Sequence, residues 1–236
     1  MINQLPTNII PFFILSASVT IFGLRSLYLY HAKRLPLSLY IGLGALLIGV
    51  SDLFYSVPFF FTYNNDILKI TALIGDLLYY GSIIVMARLI WYLGFSKKVS
   101  FYWVLLPYLI LIAGALISTM VSWQIIVYTV TDNQAYFPVS ITTSWFLAAM
   151  STAFVFVGMI FVGQAKFLKV SKQKRRLYII GFAFLLGGLI AIYNYLFLQG
   201  NNTGSFGSIG YIVLGLALFI GIFIISRKRE DIKNIK

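Results

Sequence analysis

Seven stretches of this sequence are each long and apolar enough to cross a lipid bilayer, and cations occupy only every second connection between them. A span needs about 20 mostly apolar residues to cross ~30 Å of hydrocarbon. Residues 8–30, 37–61, 67–94, 101–122, 143–165, 177–198 and 206–226 meet that requirement. Fifteen of the 18 Lys and Arg lie in 31–36, 95–100, 166–176 and 227–236, whereas 1–7, 62–66, 123–142 and 199–205 hold none. Positive charge accumulates on the cytoplasmic side of a membrane. The sequence therefore predicts an all-α, seven-helix membrane bundle with its N-terminus outside and its C-terminus cytoplasmic.

Composition agrees. Of 236 residues 60% are apolar and 10% charged, which excludes an ordinary water-soluble enzyme. Aromatics at 17% exclude disorder. With no Cys there are no disulfides, thiolate metal sites or cysteine nucleophiles. The net charge of +12 sits where it orients the chain and meets anionic lipid, so no nucleic-acid partner is expected. Residues 1–7 carry no positive charge, and the first span is read as retained rather than cleaved. One membrane domain over 1–236, in the cell membrane, is the expectation, with no soluble domain.

The connection between spans four and five is the exception among short turns. Gln124–Thr131 is rich in β-branched residues, Asp132–Gln134 offers a turn and Ala135–Val139 follows, which predicts a short hairpin over the outer mouth. Sliding the chain by 138 makes nine of the 26 positions in Leu39–Asn64 identical to Leu177–Asn202. A second offset, 133, aligns spans one and five. Together they predict two parallel three-helix units joined by span four, a 3+1+3 repeat.

Ionisable groups inside a span mark function or a paired contact. Lys69 lies three residues from Asp66 and is expected to pair with it. Arg25 and Arg88 lie near cytoplasmic ends and are expected to snorkel to the headgroups. Asp52 and Asp76 lie deeper. Each is twelve residues from Asn64, the centre of the hairpin between spans two and three, which places both about 14 Å below the outer surface at 1.5 Å per residue. A carboxylate is too short to reach water from there, so both are candidates for a proton or cation site. Tyr55 and Tyr79 follow their aspartates at i+3, on the same helix face. With Tyr80, Tyr193 and Asn194 they are the candidate ligand pocket. Pro58 is expected to kink span two. On the cytoplasmic side Lys172, Lys174, Arg175 and Arg176 are candidate contacts for lipid or a signalling partner.

Several resemblances follow from these residues. The chain is similar to seven-helix retinal proteins in helix count, but span seven holds no Lys for a Schiff base, so no cofactor is expected. It looks like animal receptors in orientation, yet Ala87-Arg88-Leu89 lacks their acidic-Arg-aromatic triplet. Size and layout resemble small sugar-permeating transporters of paired three-helix units, from which spans five and six depart by lacking Pro. Gly75-Asp76 resembles half of the motif pair of intramembrane aspartyl proteases, and Ser51-Asp52 departs from the other half. No HExxH, phosphate loop or Ser/His/Asp set is present, so neither a metal site nor an enzyme is expected. The expected function is a small-solute transporter, proton- or cation-coupled through Asp52 and Asp76. The alternative is a seven-helix sensor that binds an outside ligand and signals through a separate partner. Homo-oligomerisation is compatible with either.

Overall fold

The computed structural model describes residues 6–34, 36–95, 99–123, 129–131, 134–136 and 139–198. The seventh stretch 206–226, the connector 199–205, Lys97, Lys98 and the basic tail 227–236 lie outside them, as do the side chains of Lys172 and Arg176. The helices are α1 (Ile9–Lys33), α2 (Pro36–Ser56), α3 (Asn65–Ile90), α4 (Phe101–Ser122), α5 (Ile141–Phe167) and α6 (Ser171–Tyr193). A 3-10 turn, Val57–Phe60, extends α2, and π turns Trp91–Phe95 and Asn194–Leu198 extend α3 and α6. All six are long and apolar enough to cross a membrane, and the chain is a multi-pass helical membrane protein.

Helix ends follow local chemistry. Arg34 adopts a left-handed conformation, φ 53°, and its N–H reaches the Tyr30 carbonyl at 2.6 Å, which stops α1. Asn64 caps α3, its side-chain oxygen accepting the Asp66 N–H at 2.9 Å. Ser140 caps α5 by accepting the Thr143 N–H at 3.1 Å. Pro58 does not kink a continuing α-helix as predicted. It lies in the first turn of the 3-10 segment, because a ring with no N–H leaves the α-helical ladder incomplete. The basic stretch 166–176 is also not a loop throughout: only Leu168–Val170 is non-helical, and Ser171 already opens α6.

Consecutive helices run antiparallel, so Lys33, Arg34, Lys166, Lys169, Lys174 and Arg175 gather at one end, the basic end. At the opposite end a hairpin joins β1 (Thr129–Thr131) to β2 (Gln134–Tyr136), with Thr131 paired to Gln134 across a two-residue link. The core lies where α3, α4 and α5 meet, around Ile83, Met86, Ala115, Met150, Val157 and Phe161. Phe184 of α6 closes it, stacked on Phe154 at 6.5 Å and on Phe161 at 6.1 Å.

Two helix pairs approach backbone to backbone. In α1–α2 a Cβ built on Gly23 would stand 2.5 Å from the Leu46 nitrogen, one on Gly42 2.9 Å from that of Leu27, and one on Gly49 2.6 Å from that of Thr20. In α5–α6 a Cβ on Gly158 would stand 2.7 Å from the Leu185 nitrogen, one on Gly181 3.0 Å from that of Val162, and one on Gly188 2.9 Å from that of Val155. Small residues that admit such contact hold helices together in lipid, where apolar side chains gain nothing by leaving it.

The Arg88 guanidinium lies 4.3 Å from the Trp91 ring centroid and 4.6 Å from that of Phe101, joining the π turn at the end of α3 to the first residue of α4.

Gly49→Val and Gly188→Val should each destabilise the protein by about 1–3 kcal/mol. Gly163→Val should be neutral, because a Cβ there would meet nothing within 4 Å. Thermal unfolding midpoints in detergent check all three.

Candidate functional site

The α2–α3 hairpin sets the level of both aspartates. Ser51 Oγ donates to the Gly75 carbonyl at 2.7 Å, so Asp52 and Asp76, one residue beyond that contact on antiparallel helices, lie within about 3 Å of one depth. Depth does not bring them together. Asp76 accepts a short hydrogen bond from the Tyr55 hydroxyl, across the hairpin. The Asp52 carboxylate has no hydrogen-bond partner among the described residues; Ser56 Oγ donates at 3.0 Å to the Asp52 backbone carbonyl instead. No hydrogen bond joins the two carboxylates.

The i+3 spacing therefore places the tyrosines differently from the expectation. Tyr55 follows Asp52 in sequence but serves Asp76, because the α3-facing side of α2 carries Ser51 and Tyr55, a turn apart, while Asp52 lies ~100° round from Ser51. Gly75 makes room: a Cβ there would stand 2.9 Å from the Tyr55 ring. Tyr79 turns to α5, where its hydroxyl lies 2.8 Å from Ser151 Oγ. Ser151 spends its own proton on the Leu147 carbonyl at 2.8 Å, so Tyr79 is the donor.

Tyr80 is buried, 3% exposed, and among the described residues its hydroxyl makes no hydrogen bond of ordinary geometry, nor do the buried hydroxyls of Thr119 on α4 and Ser144 on α5. Of the two residues at the end of α6, Tyr193 is 49% exposed and stacks on Phe197 at 5.2 Å, whereas Asn194 opens the π turn that packs on α5 and buries its side-chain oxygen. Of the pocket drawn from sequence, Tyr55 and Asp76 are bonded to each other, Tyr79 turns to α5 and Tyr80 is buried beside it on α3, while Tyr193 and Asn194 lie at the far end of α6.

No protein-family model, curated protein or solved structure matches the chain. Its site stands on geometry alone.

At the hairpin end the β1–β2 segment is bound to the start of α1. The Asn8 side chain brackets Ala135 of β2, donating to its carbonyl at 2.8 Å and accepting its N–H at 2.9 Å, over a separation of 127 residues. The Ala135 side chain is buried among Ile9, Phe59 and Leu68. So the hairpin, which connects α4 to α5, lies on the ends of α1, α2 and α3. Nothing in the sequence marks Asn8, which reads as an ordinary residue before a span. Lys69 does not pair with Asp66: it is 9% exposed, and its ammonium donates to the Trp123 carbonyl at 3.0 Å, at the C-terminus of α4. That carbonyl end carries partial negative charge, which makes it a natural partner for a cation.

A ring of hydroxyls fastens the same end. Thr143 Oγ1 donates to Ser118 Oγ at 2.8 Å, Ser118 lies 3.0 Å from Ser140, and Ser140 lies 2.8 Å from Thr143. Each hydroxyl has one proton, so the first donation directs the other two around the ring, and each bond polarises the next. On the basic side, Lys174 is half-buried and Arg175 exposed on the first turns of α6.

Tyr55→Phe should lower stability by about 1–3 kcal/mol by leaving Asp76 without its donor. In an Asp76→Leu background the same substitution should cost little. A double-mutant cycle of unfolding midpoints reads the difference as the coupling between the two.

Proposed function

We propose that the chain is a small-solute transporter of the cell membrane, coupled to a proton or cation at Asp52 and Asp76. It is built as two parallel three-helix units joined by α4. The observation that carries this reading is the contact-for-contact likeness of the two glycine seams. Gly23, Gly42 and Gly49 correspond to Gly158, Gly181 and Gly188, and their partners Leu46, Leu27 and Thr20 to Leu185, Val162 and Val155. The steps are 135 along α1 and α5 and 139 along α2 and α6, in place of the 133 and 138 suggested by sequence identity. Repeated helical units with a site near the bilayer midplane are a transporter architecture.

The cation distribution supports an orientation with the basic end in the cytoplasm and the hairpin end outside. In that frame the Asp76–Tyr55 pair and the open Asp52 carboxylate lie at one depth inside the bundle. A proton arriving at one carboxyl group changes the charge that a solute meets beside the other. The hairpin held by Asn8 is the outer gate. An aspartyl protease would need its two carboxylates on one shared site, and the hydrogen bonding of Asp52 and Asp76 does not favour that.

Proteoliposomes with an internal pH dye test the coupling under an imposed potential. With a pool of small metabolites outside, the native chain should acidify the lumen in a metabolite-dependent way. Asp52→Asn and Asp76→Asn should each slow this at least tenfold while remaining folded. Absence of metabolite-dependent flux from the native chain would overturn coupled transport and favour a ligand-binding sensor that signals through a partner at the basic end.

Gating has its own test. The chain has no Cys, so a single Ser56→Cys, buried on α2 near Asp52, reports access from the hairpin side. Asn8→Ala should raise its labelling by a membrane-impermeant thiol reagent about tenfold. An unchanged rate would show that the hairpin is a fixed cover.

A further inference from the structure

Tyr80, Thr119 and Ser144 come from three different helices, α3, α4 and α5, and are 3%, 7% and 2% exposed. Their hydroxyl oxygens are sealed from the surface and make no hydrogen bond of ordinary geometry among the described residues. One such group in a core is unusual, since buried polar atoms almost always find a partner. Three of them on neighbouring helices call for a shared one.

The hydroxyl ring explains why they converge. Thr143 Oγ1 bonds Ser118 Oγ at 2.8 Å, so these residues mark where α5 and α4 face each other. Ser144 and Thr119 are the next residues. A step of one residue turns ~100° about each helix, and because the helices are antiparallel both turns go to the same side. That side is the one α3 covers. Ala115, a turn before Thr119, and Leu147, three residues after Ser144, lie in one core cluster with Tyr80 and Ile83. Thr119 faces the Tyr80 hydroxyl too loosely for a direct bond, and the Asp76 carboxyl group lies within electrostatic reach of that hydroxyl.

Three neutral hydroxyls suit water rather than an ion. A buried water makes about three hydrogen bonds to groups that would otherwise go unpaired. At ~2.8 Å for each bond it links oxygens too far apart to meet directly. We propose that Tyr80, Thr119 and Ser144 bind water between α3, α4 and α5, and that this water and the Ser118–Ser140–Thr143 ring form the proton path between the hairpin end and Asp76. The path rests on the proton coupling proposed above. Ser140, half-buried at the start of α5, is its outer end, and Tyr80, one turn beyond Asp76 on α3, its inner end. Along it each oxygen accepts a proton from its outer neighbour and gives its own to the next. One O–H bond breaks for each that forms, and the Asp76 carboxylate receives the last proton. Tyr55 bonds the same carboxyl group from α2, on its other side. No bond in this path involves Asp52.

Infrared spectra of the full-length protein in lipid, at a pH low enough to protonate both aspartates, follow exchange of their carboxyl protons after transfer to D2O. The two C=O bands are assigned by their loss in Asp76→Asn and Asp52→Asn. Tyr80→Phe and Thr119→Val should each slow exchange at Asp76 at least tenfold and leave Asp52 unchanged. Ser144→Ala, a smaller change, takes their place if neither folds. Unaltered exchange at Asp76, or equal slowing at both aspartates, would overturn the path. Radiolytic oxidation of the native chain reads the water itself, because radicals form where water is bound. Tyr80 should be oxidised at least fivefold faster than Tyr108, which is 8% exposed, and Thr119→Val should bring the two rates together. Equal rates in the native chain would overturn the water site. Neither readout depends on transport, so a failed flux assay and a failed path are separate outcomes.

Discussion

In hydrocarbon, helices are not driven together by water, and their association depends on how closely their surfaces fit. Here that fit is backbone against backbone at six glycines, three in each of two helix pairs. The α2–α3 pair comes close at a single glycine, Gly75, whose Cβ would stand 3.1 Å from the Ser51 carbonyl oxygen. Between the two seamed pairs stands α3, which touches α2, α4 and α5. Its polar groups reach each of these: Asp76 and the Gly75 carbonyl meet α2, Lys69 meets the end of α4, and Tyr79 meets α5. Polar bonds thus concentrate on the helix that lacks a glycine seam with most of its neighbours, where close packing alone holds least.

This division of labour also locates the chemistry. A buried carboxyl group is tolerated in a membrane when protein or water surrounds it. The Asp76 carboxyl group meets Tyr55 within the hairpin, whereas Asp52 presents its carboxylate without a donor among the described residues.

Much of this was legible in the sequence, and the rest was illegible for physical reasons. Length and hydropathy located α4 to the residue and gave the other helices within a few positions, because a bilayer demands a fixed apolar length. The start of α6 was placed six residues late, since Lys and Arg signal water to a hydropathy count although both are good helix formers. Equal depth for Asp52 and Asp76 followed from counting along a hairpin. Their partners did not: a tyrosine hydroxyl lies far enough from its own backbone to serve the neighbouring helix, and i+3 spacing describes only where a side chain starts. The seams were misaligned by one or two residues because identity weighs every apolar match equally, while only glycines and the atoms they touch are constrained by contact. Asn8 and Ala135, so distant in the chain, left no trace of their union at all.

That union has a mechanical side. The hairpin belongs to the stretch between α4 and α5, and Asn8 belongs to the approach to α1, so the two hydrogen bonds tie the first helix pair to the second at one end of the bundle. The buried Ala135 side chain and the Lys69–Trp123 bond reinforce that tie, so the hairpin end is stitched by elements from opposite ends of the sequence, like the last turn of a thread brought back through its first loop.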